Sequence, residues 1–212
     1  MKHLSVFISS MLSYLLIGTI TIFVAENISN TSYKRQTLFD FIHYHIPQFP
    51  DPSIPDAAVA LAMCYMIVRW WNVDLRIPSI YFYALTGMMF VRLFTFTITQ
   101  TPPPRRLDDK WRINHCKRTV LKHLGISFSK ISDTCIDNMF SGHAATLVSA
   151  LCVILLFSEN ITEKVIASIF VTLTTFAIIT SRMHYSSDVI VATVFSILSV
   201  WLLKYLVFGV KQ

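Results

Sequence analysis

In CIDNMFSGHAATLVSA, residues 135–150, Ser141, Gly142 and His143 stand where a polar loop turns into a long apolar run. Glycine lets a backbone approach a ligand closely, a serine hydroxyl donates to an anionic oxygen, and an imidazole exchanges protons near neutral pH. Further along, SRMHYSSDVIVA, residues 181–192, brings Arg182, His184 and Asp188 together. His184 and Asp188 are four residues apart, which on a helix puts them on one face. A carboxylate so placed takes the proton of one imidazole nitrogen, fixing the tautomer and leaving the other nitrogen as a nucleophile or base. Taken alone, Ser-Gly-His also reads as a helix start with an incidental histidine, and a lone His-Asp pair is a weak signal.

What must position these residues is a membrane bundle. Of the 212 residues 54% are hydrophobic and 13% aromatic, too apolar for a soluble core. Apolar segments of spanning length are centred on residues 4–25, 56–71, 78–99, 140–158, 164–182 and 185–208. The second is the shortest. The first is read as a retained span and not a signal peptide, because its apolar run exceeds the usual length and Phe23-Val24-Ala25 is a poor cleavage site. With only 5 Gly and 8 Pro, and no repeat, low-complexity tract or flexible linker, residues 1–212 are expected to form one all-α domain of six transmembrane helices in a single bundle.

Six spans put both termini on one side and the loops 26–55 and 100–139, with the turn near 183, on the other. His143 opens a span running one way and His184 ends the connection from a span running back, so both imidazoles lie at the same membrane face. Lys and Arg outside the spans are more numerous on this loop side, which by the positive-inside rule would be cytoplasmic; most lie in the long 100–139 loop, where the rule is weak. Sequons at Asn27 and Asn30 fall on the loop side and one at Asn160 on the other, so they do not arbitrate. The basic loop, with Arg105, Arg106, Lys110, Arg112, Lys117 and Arg118, supplies much of the +6 net charge. It carries no nucleic-acid recognition motif, so no nucleic-acid partner is expected, and its place at a membrane surface favours attraction of anionic lipid head groups. Cys64 and Cys152 read as small buried hydrophobes inside spans. Cys116 and Cys135 share the loop side, and a disulfide between them stays open.

Two imidazoles, a carboxylate and a guanidinium at one depth are costly to keep near a bilayer without a use. The set suits phosphoryl transfer: one histidine attacks phosphorus, the second protonates the departing oxygen, and cations with backbone amides neutralise the equatorial oxygens. No Gly-rich nucleotide loop and no clustered carboxylates for a magnesium cage are present, so the expectation is a route through phosphohistidine with no metal and no cofactor.

Ser-Gly-His followed by His-Tyr-x-x-Asp-Val-Ile resembles the phosphatidic acid phosphatase type 2 superfamily of lipid phosphatases and phosphotransferases, and within it the sphingomyelin synthase family. Three blocks carry the likeness: Arg92–Pro104 (RLFTFTITQTPPP), Cys135–His143 (CIDNMFSGH) and His184–Ala192 (HYSSDVIVA), within a region of about residues 35–205. The chain departs from the pattern at Ile136, where the family has glycine. Arg182 stands two residues before His184 instead of farther away, and the phosphatase-type Lys-x6-Arg-Pro block is missing; both features argue for a synthase. No amino-terminal protein-interaction domain is expected before the first span. The resemblance implies transfer of phosphocholine from phosphatidylcholine to the primary hydroxyl of ceramide, leaving diacylglycerol, on the lumenal or exoplasmic face of an endomembrane (Golgi or ER) or the plasma membrane.

Carried over, His184 would be the nucleophile, Asp188 its orienting partner, and His143 the acid for diacylglycerol and then the base for ceramide. Asp137 would bind a cationic head group or orient a histidine, with Ser141 and Arg182 as further substrate contacts. Arg92 is either paired with Asp137 or Asp188 or touches substrate phosphate. Tyr81, Phe82, Tyr83, Phe94 and Phe96 are expected to face lipid or the interface, with a choline or acyl site as the alternative. The expected partners are lipid substrates and the bilayer, and self-association into a homo-oligomer stays open. A ceramide phosphoethanolamine synthase, an inositol phosphorylceramide synthase and a lipid phosphate phosphatase of the same superfamily are the other readings.

Overall fold

The computed structural model describes residues 3–28, 38–49, 53–99, 101, 104 and 140–209. Every regular element among them is a helix: α1 (Leu4–Ile28), α2 (Phe41–His45), α3 (Ser53–Trp70), α4 (Arg76–Ile98), α5 (Gly142–Phe157), α6 (Ile161–Thr180) and α7 (Ser186–Phe208). Six of these coincide with the expected spans, and the short α2 is an addition. Five helices, α1, α3, α4, α6 and α7, are long and apolar enough to cross a membrane.

The fourth expected span, 140–158, is the exception: α5 has 16 residues, about 24 Å at ~1.5 Å per residue, against a hydrocarbon core of about 30 Å. Its position explains why that length serves. α5 packs against α3, α4, α6 and α7, and its residues Gly142 to Ala150 are all buried, so protein and not lipid surrounds its polar start. Small side chains at Ala144, Ala145, Ser149 and Ala150 let its neighbours approach closely. The Ser196 hydroxyl of α7 reaches the Ala145 carbonyl at 3.3 Å as well as its own helix at Ala192, 2.7 Å. α1 packs chiefly on α4 at the periphery. Leu12, Leu16, Leu173, Ile190, Leu198 and Leu206 are exposed, an apolar belt of the kind that lipid covers.

The start of α1 and the end of α7 lie at one end of the bundle, as the span count requires. There Phe7 of α1 meets Trp71 edge to face with centroids 5.9 Å apart, the Arg76 guanidinium lies 4.5 Å over the Phe208 ring, and Phe157 stacks on Phe208 at 5.2 Å. A polar knot ties the same end: Glu163 accepts from the Tyr65 hydroxyl, the Ser158 hydroxyl and the Arg69 guanidinium, joining α3 to the start of α6. Two expectations for the span interiors change. Tyr81 and Phe82 are buried in the bundle core beside Tyr14 and Phe7, where α1 covers α4, so they face neither lipid nor a ligand; Phe94 is exposed as expected, and the Phe96 side chain lies outside the described residues. Cys64 is exposed on α3, and Cys152 is partly buried.

Candidate active site

The opposite end gathers the chemistry-bearing residues from five elements. Ser141 is the N-cap of α5: its side-chain oxygen accepts from the Ala144 amide at 3.2 Å, and its own amide donates to the Asp188 carbonyl at 3.3 Å. The cap starts α5 one residue before His143 and ties that start to α7. The His143 ring is buried, and its Nε2 lies 2.6 Å from Asp56 Oδ1 in the first turn of α3. A carboxylate only accepts, so Nε2 carries the proton of the neutral ring and Nδ1 is the nitrogen left to exchange one. The His184 ring centroid is 5.9 Å from that of His143, and both rings are more than nine-tenths buried. Counting spans predicts one face for the two histidines; the fold brings them to within a phosphoryl group's width.

The relation of His184 to Asp188 differs from the sequence expectation. His184 lies in the turn between α6 and α7, ahead of the first helical residue, Ser186, so the two do not share a helical face. Asp188 stands in the first turn of α7, where its Oδ2 accepts from the Tyr185 amide at 3.0 Å. It thereby fixes the backbone immediately after His184. Both residues are buried.

Arg92 is buried on α4, with its guanidinium directly against Gly142: a Cβ added at residue 142 would fall 2.1 Å from Nη1. The glycine therefore leaves room for a cation at the N-terminus of α5, where unpaired amides and the helix dipole already favour an anion. Arg182 is placed otherwise. Its Nη2 donates to the His43 carbonyl at 2.9 Å, and its backbone has φ 56°. Phe140, three residues before His143, has φ 76°. Left-handed backbone at non-glycine residues costs about 1–3 kcal/mol each, and here it falls beside both histidines.

Asp56 is the carboxylate that sequence reading missed. Its signal was present: it is the acidic residue at the loop-side start of the second span, on the face already assigned to His143. Also missed was the support beneath His184. Asp40, ahead of α2, accepts from the Ser186 amide at 2.6 Å and the Ser186 hydroxyl at 2.9 Å, while His43 Nε2 meets the Ile179 carbonyl at 3.0 Å. Although burial acts to raise the Asp40 carboxyl, hydrogen bonds from Ser186 and the His43 amide hold it below its ordinary value; burial pushes His43 below its own. Asp137, Cys116, Cys135 and the basic loop 105–118 lie outside the described residues.

Residues 134–205 match the family model described as PAP2 superfamily C-terminal, a stretch that contains both histidines and Asp188. That match supports the phosphatidic acid phosphatase type 2 superfamily. No curated protein matches the chain. The PAP2 match and the apolar helices together support a multi-pass membrane protein with lipid phosphatase or phosphotransferase-type activity.

Proposed function

We propose that the chain is a sphingolipid head-group transferase that moves phosphocholine from phosphatidylcholine to ceramide. The observation that carries this reading is the pair of buried imidazoles with centroids 5.9 Å apart, one of them bound to its own carboxylate. In the first half-reaction a ring nitrogen of His184 forms a bond to phosphorus as the bond to the glycerol oxygen breaks, and His143, entering the cycle with a proton on both ring nitrogens, gives that oxygen the one on Nδ1, releasing diacylglycerol. In the second, His143 takes the proton of the primary hydroxyl of ceramide, the alkoxide oxygen bonds to phosphorus, and the phosphorus–nitrogen bond breaks. His143 ends each cycle in its starting state, so a residue able to hold either protonation state is required.

Asp56 holds His143 in the tautomer that this exchange needs, and Asp188 orients the turn carrying His184. Arg92 and the α5 amides next to Gly142 would neutralise the phosphoryl oxygens. Arg182, whose Nη2 donates to the His43 carbonyl, would support the His184 turn and remains a candidate for contact with the substrate. Ser141 serves first as a cap, and Asp137 remains a candidate for the cationic head group. The reading puts the site on the lumenal or exoplasmic side of the membrane.

Labelled ceramide supplied with phosphatidylcholine, phosphatidylethanolamine or phosphatidylinositol in proteoliposomes tests this. Sphingomyelin from the first alone is the expected product. A new sphingolipid from one of the other donors would reassign the head group, and free phosphate or phosphocholine with no new sphingolipid would make water the acceptor and the chain a phosphatase.

A further inference from the structure

The segment from Leu38 to Phe49 (LFDFIHYHIPQF) divides its side chains sharply by chemistry. Asp40 and His43 turn inward onto the α6–α7 connection, whereas His45 and Gln48 are exposed. Besides the bonds of Asp40 to Ser186 and of His43 to Ile179, the Leu38 amide donates to the Tyr185 hydroxyl at 3.1 Å, and the Phe49 amide donates to the Thr180 carbonyl at 3.1 Å. Its aromatic side chains turn outward: Phe39, Phe41, Tyr44 and Phe49 are 78%, 67%, 75% and 53% exposed. Phe39, Tyr44, His45 and Phe41 touch in sequence (Phe39–Tyr44 6.0 Å, Tyr44–His45 4.9 Å, Phe41–His45 4.5 Å), so these four form one patch and not scattered residues.

Three observations decide what covers that patch. It lies beside the C-terminal end of α6 and the N-terminal end of α7, the depth at which two spans leave the hydrocarbon. The two helices it packs beside themselves expose large apolar side chains, among them Leu173, Phe176 and Ile190. Its large side chains are Phe, Tyr and His, which carry an apolar body with or without a polar tip and suit the head-group layer, and between residues 38 and 49 there is no Lys or Arg to draw it to acidic protein or nucleic acid. A lipid interface meets all three conditions without a second protein.

We infer that α2 and its flanks form an interfacial docking element, whose aromatic face sits in the phospholipid head-group layer and whose Asp40 and His43 hold the His184 turn at that depth. A membrane-seated brace of this kind would keep the His184 ring level with lipid phosphates, because the turn cannot sink or rise without moving the aromatic patch. The inference rests on the bundle and its patch, and stands whether the acceptor is ceramide or water.

The test uses the full chain with Cys64, Cys116, Cys135 and Cys152 replaced by Ala and a single reporter, Tyr44→Cys, carrying an environment-sensitive NBD fluorophore, in phosphatidylcholine nanodiscs. The expected emission is blue-shifted from its value in water and is quenched more by phosphatidylcholine brominated near the head group than by lipid brominated near the chain ends. Phe39→Cys in the same background is expected to give the same pattern, so the result does not hang on one variant. Water-like emission without quenching would overturn the inference, and so would a blue shift that brominated lipid leaves untouched, which is the signature of a protein covering the patch. For the brace, Asp40→Ala is expected to raise amide hydrogen exchange at residues 182–187 several-fold in otherwise intact nanodisc samples. Exchange equal to that of the parent chain would overturn the link between α2 and the turn.

Discussion

At the scale of single residues, the site is a matter of which nitrogen of each imidazole is committed. Asp56 commits His143 Nε2, so removing its charge while keeping an acceptor, Asp56→Asn, is expected to lower kcat with little change in KM, the pattern of an interaction that matters in the transition state. His143→Ala should cost about 10²–10⁴-fold, the usual contribution of a positioned general acid or base. Steady-state transfer assays on purified, monodisperse variants check both, and unchanged rates in both would remove the histidine from the chemistry. Gly142→Ala is the steric counterpart. The added methyl cannot share space with Arg92 Nη1, and a flexible side chain yields before a helix does, so the guanidinium should swing away while the bundle stays folded. Activity is expected to fall to the level of Arg92→Ala, with a melting temperature close to that of the parent chain.

At the scale of elements, the two ends of the bundle are held by different polar contacts, and each can be loosened separately. Glu163 joins α3 to α6 at the end far from the histidines, with three partners around one carboxylate. Glu163→Ala leaves the Tyr65 and Ser158 hydroxyls and Arg69 without it, a loss of about 1–3 kcal/mol; a thermal shift in detergent with KM unaltered is the expected outcome. The α2 brace responds instead to pH. His43 has a folded pKa below its ordinary 6.5, so the detached segment takes up the proton first as pH falls, and the contribution of His43, complete above about 6.5, declines below it. Asp40, also lowered, keeps its contribution above its ordinary 3.8 and loses it only at stronger acidity. Between pH 8 and pH 5.5 only the His43 contribution changes: protection across residues 38–49, taken relative to the intrinsic exchange rate at each pH, should fall, and His43→Gln should flatten that fall.

At the scale of the whole molecule, the undecided quantity is which compartment the histidine face meets. Arginine and lysine counts point to the cytoplasm and the proposed function to the lumen. The sequons turn this into a measurement, since Asn27 lies in the last turn of α1 and Asn30 follows it in the sequence, on the side that the span count gives the histidines, whereas Asn160 caps α6 at the other end, its side-chain oxygen accepting from the Thr162 and Glu163 amides. Expression with microsomes is expected to glycosylate Asn27 or Asn30 and not Asn160. The opposite pattern would place the site in the cytoplasm and end the lumenal assignment.

By itself the sequence determined the class of fold and the end of the bundle where the chemistry lies. Long apolar runs have few ways to satisfy their backbone other than helices, and the parity of six such runs is enough to bring Ser-Gly-His and His-Tyr-Ser-Ser-Asp to one face. Periodicity could not tell that α5 is the central helix, because a segment that is apolar all round looks the same whether lipid or protein surrounds it; only packing against four neighbours made its short length sufficient. Nor could local spacing reveal the partner of His143. Asp56 is 87 positions away along the chain, and the contact exists because α3 starts where α5 starts. The His184–Asp188 spacing shows the converse: four residues mean one face only inside a helix, and α7 begins after His184. Tertiary structure also sorted residues 38–49, since the Asp40 carboxylate and the His43 imidazole separate from the outward aromatics only when the α6–α7 turn is there to receive them.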